Sequence, residues 1–133
     1  MSLNASNFPP APLVGSWKLS VARSQAGLPP FLALHSYFAD GTMTETTSVL
    51  GQGTEGPGHG VWHGRNETFA STFEVFAFDD CGEYTGTVRV RSTIRLDTPD
   101  RISGETAVDV FPPDGEPLLR VDSATFVGTR MKL

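Results

Sequence analysis

The sequence predicts an all-β protein, an eight-stranded antiparallel up-and-down β-barrel, with a two-sheet sandwich as the alternative. Turn signals of glycine, proline, aspartate and asparagine recur at the short spacing of small barrels and sandwiches. No apolar stripe with a period of about 3.6 residues lasts long enough for a substantial helix. Eight strands joined by simple hairpins suit a closed barrel, because closure leaves no edge strand unpaired.

Eight candidate strands lie between these turns. They are expected near residues 14–22, 32–39, 42–50, 59–64, 67–78, 83–96, 102–111 and 117–129. The turns include Asp40-Gly41, Cys81-Gly82 and the segments 51–58, 64–66, 97–100 and 112–115. Residues 1–12 are proline-broken and polar, which predicts a flexible arm before a barrel domain over residues 13–133. The glycine-rich segment 51–58 is expected to form a mobile loop at the barrel mouth.

The last three hairpins can be compared with one another, because a turn of known length fixes which residues face the same way. Two-residue turns at Cys81-Gly82 and Asp114-Gly115 and a loop centred on Thr98 all give one apolar face and one charge-paired face. The inward rows are Val75, Val88, Val110 and Leu119; Phe73, Val90, Val108 and Val121; Ser71, Ser92, Thr106 and Ser123; and Phe69, Ile94 and Gly104. The outward row is Glu74, Arg89, Asp109 and Arg120. This agreement is the strongest sequence evidence for the fold.

The strands of the first half are oriented by the same reasoning. A two-residue Asp40-Gly41 turn places these side chains inward: Leu32, Leu34, Ser36, Phe38, Met43, Glu45, Thr47 and Val49. The turn at residues 64–67 places Trp62 inward, opposite Phe69. His35, His59 and His63 then face outward. Since His59 and His63 would lie about 13 Å apart on a strand, no haem or metal site is expected.

Composition excludes several classes of function. With 133 residues and a formal net charge of −5, the chain is one domain without the clustered cations that nucleic acids require. No apolar run approaches the roughly 18 residues of a membrane helix, and no signal-peptide core is present, so a cytoplasmic protein without membrane contact is expected. Cys81 is the sole cysteine, which excludes an intrachain disulfide. No phosphate-binding loop or nucleophile motif occurs, and no cofactor is expected.

The two ends of the domain carry the pattern of a known superfamily. The first strand contains Gly15-Ser16-Trp17, and the last strand ends in Arg130. A Gly-x-Trp on the opening strand with an arginine at the end of the closing strand resembles the lipocalin, or calycin, signature. The resemblance implies that Trp17 closes the barrel base and that Arg130 packs over it through a cation–π contact and hydrogen bonds to carbonyls. The chain is similar to compact lipocalin-like bacterial barrels, without the helix that follows the last strand in lipocalins.

Glu45 is the main candidate for chemistry, since a carboxylate turned into a barrel must be paired, protonated or hydrogen-bonded. It could orient a ligand hydroxyl or amine, act as a general acid or base, or be solvated at the barrel mouth. The candidate apolar wall comprises Phe38, Met43, Trp62, Phe69, Phe73 and Val90. The candidate hydroxyls are Ser36, beside Glu45, and a belt of Ser71, Ser92, Thr106 and Ser123. Both sets could instead be ordinary core, because an eight-stranded barrel can be filled or hold one small ligand.

These residues favour the binding of a small, largely apolar molecule, held by the hydroxyl belt and Glu45. One alternative is a cofactor-independent cyclase or isomerase in which Glu45 moves a proton, and another is a filled barrel that acts as a partner-binding module. Phe76 and Phe78 face outward in the predicted register and favour a homodimer interface. A bulge between Val75 and Phe76 would instead turn both rings inward.

Overall fold

The computed structural model describes residues 12–25, 27–49 and 56–133. Eight β-strands are present: β1 Gly15–Arg23, β2 Phe31–Tyr37, β3 Thr42–Thr47, β4 Gly58–Arg65, β5 Thr68–Phe78, β6 Tyr84–Thr98, β7 Arg101–Phe111 and β8 Leu118–Arg130. Each strand pairs antiparallel with the next, and β8 pairs with β1, so the sheet closes into a barrel. The predicted fold class is confirmed. Most of the predicted arm at residues 1–12 and of the predicted mouth loop at residues 51–58 lies outside the described residues.

The registers of β5, β6 and β7 agree with the predicted ones. Val75 lies opposite Val88, and Val88 lies opposite Val110. The other inward pairs follow without a shift: Phe73 with Val90, Val90 with Val108, Ser71 with Ser92, Ser92 with Thr106, Phe69 with Ile94, and Ile94 with Gly104. A slip of one residue would exchange the two faces of a strand, so the predicted faces of these three strands are confirmed. The turns themselves differ from the predicted ones, and the register shifts beside them, between Ala77 and Phe78 and between Leu96 and Thr98, compensate for the difference. In the described part of the chain, no helix has the length and apolar character needed to cross a membrane.

The pairing of β8 differs from the prediction by one residue. Val108 lies opposite Asp122, and the register shifts between Val108 and Val110. The shift coincides with a bulge at Arg120, whose backbone φ of 53° lies in the left-handed region. The other altered pairs are Thr106 with Ala124, Ala107 with Ser123, and Val110 with Leu118. A bulged hairpin therefore replaces the tight Asp114-Gly115 turn.

This shift changes which side chains of β8 enter the barrel. Ser123 is not aligned with Thr106 as predicted, and its hydroxyl bonds the hydroxyl of Ser24 (2.7 Å). The predicted inward positions of Leu119 and Val121 are also wrong, because both residues are at least half exposed. The predicted belt of four hydroxyls is thus broken at β8.

The buried carboxylate of Asp109 stabilises the bulge. Asp109 is 2% exposed and accepts a hydrogen bond from the Arg120 N–H (2.9 Å). It also accepts two from the Arg91 guanidinium (3.0 and 3.2 Å). These bonds lower the pKa of Asp109, and the Arg120 backbone bond contributes most. On the same face Arg89 pairs with Glu74 (2.8 Å), as the predicted outward row requires.

Asp109→Asn is expected to be less stable than the wild type at neutral pH, because an amide cannot make the same charge-assisted bonds. The pKa of Asp109 in the folded protein lies below its unfolded value of about 3.9. The stability it contributes is therefore present above that value and is lost as the pH falls below it. Urea unfolding should show a gap between variant and wild-type midpoints at neutral pH that narrows at about pH 3. Asp114→Asn, in the exposed β7–β8 connection, is the matched control and should show no gap at either pH.

The β2–β3 hairpin is one residue longer than the predicted two-residue turn. The Phe38 N–H donates to the Thr42 carbonyl (2.9 Å), and the Gly41 N–H donates to the Phe38 carbonyl (3.0 Å). Gly41 has a φ of +92°, the left-handed conformation that a three-residue hairpin loop requires at this position. Tyr37 consequently lies opposite Met43.

The extra loop residue reverses the two faces of β2. The predicted inward positions of Leu32, Leu34, Ser36 and Phe38 are wrong. Leu32, Leu34 and Phe38 are nearly half exposed, and Ser36 bonds Ser16 through their hydroxyls (2.7 Å). His35, predicted to face outward, is buried inside together with Tyr37. β3 keeps its predicted orientation, with Met43, Glu45 and Thr47 inward.

Glycines of β4 make room for aromatic rings inside the barrel. Gly60 lies opposite Phe73, and Gly64 lies opposite Phe69. A Cβ at either glycine would come within 2.6 Å of the facing phenylalanine. Trp62, between them, faces inward as predicted but lies opposite Ser71 rather than Phe69. The phenylalanines of β5 thus fill the volume that β4 leaves open.

Trp17 and Arg130 close one end of the barrel. Trp17 is fully buried, and its Nε1 donates to the Leu13 carbonyl (3.0 Å). The Arg130 guanidinium lies 4.3 Å from the centre of the Trp17 ring. It also donates to three backbone carbonyls, those of Pro12, Val14 and Pro99. A Cβ at Gly15 would lie 2.7 Å from this guanidinium, so the arrangement is the one that the Gly-x-Trp resemblance implies.

Aromatic side chains also lie on the outer surface at the opposite end. Phe76 is 59% exposed, and its ring meets that of Tyr84 edge-on at 5.7 Å. Phe78 is half-buried, and the register shift lies between Ala77 and Phe78, not beside Val75. Phe76 therefore faces outward as predicted, while a homodimer through this surface stays a prediction.

Candidate ligand-binding site

The barrel is filled at one end and hollow at the other. The filled end contains side chains that are at most 1% exposed: Leu13, Trp17, Tyr37, Met43, Phe69, Ile94 and Ile102. The other half encloses a cavity of about 160 Å³, which we call the cup. Its rim is formed near the ends of β1, β2, β3 and β8 by Arg23, Phe31, Val49 and Asp122.

The walls of the cup are mostly apolar. The apolar wall residues are Leu19, Val21, Ala33, Phe73, Val88, Val90, Val108, Ala124 and Phe126. Five polar residues lie among them: His35, Glu45, Thr47, Thr106 and Ser123. His35 and Glu45 are 5% and 6% exposed, so both are almost fully removed from bulk solvent. An apolar cavity with a few convergent polar groups is the usual form of a small-molecule site.

His35 and Glu45 lie opposite each other on β2 and β3. The His35 Nε2 is 3.9 Å from the Glu45 Oε2, and the His35 Nδ1 is 2.9 Å from the Tyr37 hydroxyl. The imidazole also packs edge-on against Phe73, with ring centres 5.5 Å apart. Three buried polar side chains thus form one row, and Phe73 fixes the orientation of its central imidazole.

Burial determines the protonation of this row. It lowers the pKa of His35 to about 4, so the imidazole is neutral at neutral pH. Burial and, secondly, the negative charge of Glu45 raise the pKa of Tyr37 well above its ordinary value. Tyr37 therefore keeps its proton and can donate it to the His35 Nδ1. A neutral imidazole that accepts at Nδ1 carries its hydrogen on Nε2, the atom that faces Glu45.

The rim carries charges of both signs. The Arg23 guanidinium and the Asp122 carboxylate pair across β1 and β8 at 3.2 Å. Because each is partly exposed, water screens the pair and its contribution to stability is small. The entrance is therefore electrically balanced, in contrast to the carboxylate of Glu45 deeper in the cup.

The structure separates the predicted binding residues into three groups. Those that line the cup are Glu45, Phe73, Val90, Thr106 and Ser123. Those that face the interior outside the cup are Met43, Trp62, Phe69, Ser71 and Ser92. The remaining two, Ser36 and Phe38, lie on the outside. Sequence reasoning missed His35 and Tyr37, because the β2–β3 loop is longer than the two residues assumed.

Two buried hydroxyls lie just below the cup. Ser71 and Ser92 face each other across β5 and β6, one inward pair nearer the filled end than Phe73 and Val90. Neither Oγ has a hydrogen-bond partner among the described residues. Buried hydroxyls usually have one, so this pair marks the place below the cup where an ordered water is expected.

The described residues do not assemble a metal site. Among them, no group of three or more histidine, cysteine, aspartate or glutamate side chains could hold a metal ion. His59 and His63 are exposed on β4, whereas His35 is inside the barrel. His35 therefore lies apart from the other two histidines.

Comparison with known proteins supports the fold. The structure is similar to that of a redesigned β-barrel, with a TM-score of 0.56 and 14% sequence identity over 91% of this chain and 93% of that chain. At this identity the likeness shows the fold alone. No protein-family model matches the chain, and no curated protein matches it. The lipocalin resemblance accordingly rests on the arrangement of Gly15, Trp17 and Arg130.

Proposed function

We propose that this protein binds a small, mostly apolar molecule in the cup. The observation that carries the proposal is an apolar cavity into which the buried pair of His35 and Glu45 converges. Apolar walls supply most of the affinity of such sites, and a few polar groups set the orientation of the ligand.

The volume of the cup limits the size of the enclosed group. Its roughly 160 Å³ is smaller than the ~300–1,000 Å³ of pockets that take drug-sized ligands. The cup therefore accommodates a single-ring or short-chain compound, or one end of a longer molecule that leaves through the rim.

The protonation behaviour of His35 and Tyr37 favours binding over a cyclase or isomerase that would use either of them as its acid or base. A general acid or base works best when its pKa lies near the working pH. The pKa of His35 is about 4, and that of Tyr37 is raised above its ordinary value. Near neutral pH both groups hold their protonation state, which suits a fixed hydrogen-bonding site better than proton transfer.

Methyl NMR with two single-ring probes, toluene and p-cresol, tests the proposal. At least one probe is expected to shift the methyl signals of Val88 and Val90, which line the cup. Val108→Trp places a bulky ring in the cup and should abolish these shifts. Ala107→Trp, its neighbour on the other face of β7, is the matched control and should preserve them. The proposal fails if neither probe shifts the cup methyls, or if Val108→Trp leaves the shifts unchanged.

A further inference from the structure

We propose that the cup selects a neutral hydroxyl compound, a phenol or small alcohol, whose oxygen lies between His35 and Glu45. This inference rests on the binding function proposed above and names the chemical class of the ligand. It follows from the spacing of the two groups, their donor and acceptor character, the charge of the cup and its size.

The spacing of the two side chains suits one intervening oxygen. The His35 Nε2 and the Glu45 Oε2 are 3.9 Å apart, which is too far for a direct hydrogen bond. An oxygen at about 2.8 Å from each atom would complete a bent bridge of ordinary hydrogen-bond length. Both side chains line the cup, so a ligand in the cup can reach this position.

The two groups offer complementary hydrogen bonds. The Glu45 carboxylate, 3.9 Å from Nε2, favours the His35 tautomer with its N–H at Nε2, and the Tyr37 hydroxyl then donates to Nδ1 (2.9 Å). Glu45 presents carboxylate oxygens, and a carboxylate can accept about four hydrogen bonds, so it can keep protein partners while accepting another. A ligand hydroxyl accepts from His35 and donates to Glu45 through the same oxygen.

The charge of the cup disfavours ionised ligands. An anion would lie against the Glu45 carboxylate. Among the described residues that line the cup, the basic side chain is Arg23, and it is already paired with Asp122 at the rim. An ammonium group could donate to Glu45 but has no lone pair for the His35 N–H. Burying an ionised group without full pairing is also costly.

The size of the cup suits one aromatic ring. Its roughly 160 Å³ is close to the ~150 Å³ of an apolar protein cavity that accommodates benzene. Phe73 and Phe126 lie in its wall and Phe31 at its rim, and aromatic side chains pack favourably against an aromatic ligand.

Calorimetric titration of the whole chain with p-cresol, toluene, 4-methylbenzoate and 4-methylbenzylammonium at neutral pH tests the selectivity. These probes share one ring and differ in the polar group. p-Cresol is expected to bind at least about tenfold more tightly than each of the others, because hydrogen bonds to a charged partner are the strong ones. Glu45→Met should reduce this preference over toluene to less than about threefold while toluene still binds. Glu105→Met, on the exposed face of β7, is the matched control and should keep the full preference.

Each outcome of the titration decides one claim. Equal binding of toluene and p-cresol would overturn the hydroxyl assignment and leave an apolar binding site standing. Tighter binding of the carboxylate or ammonium probe would replace the ligand class. An unchanged preference in Glu45→Met would remove Glu45 from the recognition of the ligand. Failure of all four probes to bind would instead refute the binding function itself.

Discussion

Trp17→Ala is expected to lower the free energy of unfolding by about 3–5 kcal/mol, as truncation of a large buried aromatic side chain generally does. Trp17 is fully buried beneath the Arg130 guanidinium. The variant loses the packing of the indole, its bond to the Leu13 carbonyl and the cation–π contact. Guanidinium unfolding of variant and wild type measures the effect, and Val61→Ala, on the outer face of β4, is an exposed control. A loss below about 1 kcal/mol would show that the barrel does not depend on this closure.

Arg130→Lys separates the charge of Arg130 from its geometry. The guanidinium donates to two carbonyls that precede β1, those of Pro12 and Val14, and to the Pro99 carbonyl in the β6–β7 turn. A lysine keeps the charge but cannot reproduce this fork. The lysine variant should therefore recover only a minor part of the stability lost in Arg130→Ala. Full recovery would show that charge alone matters at this position.

Wild-type protein is expected to lose about 3 kcal/mol of folding stability on acidification because of His35. The pKa of His35 is about 4 in the folded protein and 6.5 for an unperturbed histidine. Between these values the unfolded chain binds a proton that the folded protein does not, so stability falls as the pH drops through this window. Above the window the contribution is fully present, and below it the loss is complete. Urea unfolding at closely spaced pH values measures the slope.

His35→Gln removes the titrating group and keeps a polar side chain. Between about pH 4 and 6.5, the slope of the unfolding free energy against pH should become shallower by nearly 1.4 kcal/mol per pH unit, the value for one proton. His63→Gln, at an exposed position of β4, should retain the wild-type slope. The assignment would be contradicted by equal slopes in His35→Gln and wild type, or by a His35 pKa near 6.5 in an NMR titration.

The sequence predicts the second half of the barrel well for a physical reason. Neither the β5–β6 turn nor the β6–β7 turn has the predicted length, because Asp79 pairs with Glu83 around a three-residue loop and Thr98 pairs with Arg101. A register shift beside each turn restores the predicted inward rows of β5, β6 and β7. The alternation of polar and apolar side chains identifies the inward face of these strands, because outer charged side chains alternate with inner valines and phenylalanines. The β7–β8 hairpin departs from this rule, because the bulge at Arg120 depends on the buried Asp109, a tertiary contact.

The orientation of β2 could not be assigned because both of its faces are largely apolar. Leu32 and Leu34 are as hydrophobic as Phe31 and Ala33, so the pattern does not distinguish the two registers. The predicted orientation of β2 therefore depends on the length of the Asp40-Gly41 turn, and a three-residue loop ending in Gly41 fits the sequence as well as a two-residue turn does. That loop places His35 inside and would have revealed its pairing with Glu45.

The cup itself lies beyond what alternation can predict. The pattern shows that Met43, Phe69 and Phe73 face inward, but Met43 and Phe69 belong to the filled end while Phe73 lines the cavity. Which half is hollow depends on how the rings pack around Trp17 and Trp62. Glu45 is correctly predicted as an inward carboxylate, because the orientation of β3 is the same whether the β2–β3 loop has two or three residues.

A crystal structure of the protein grown with p-cresol would test the central claim most directly. The ring is expected in the cup beside Phe73, with the phenol oxygen within hydrogen-bond distance of both the His35 Nε2 and the Glu45 carboxylate. Density for p-cresol at the outer surface with the cup occupied by protein side chains would contradict the binding function. A ring in the cup with its hydroxyl pointing to the rim would contradict the recognition by His35 and Glu45.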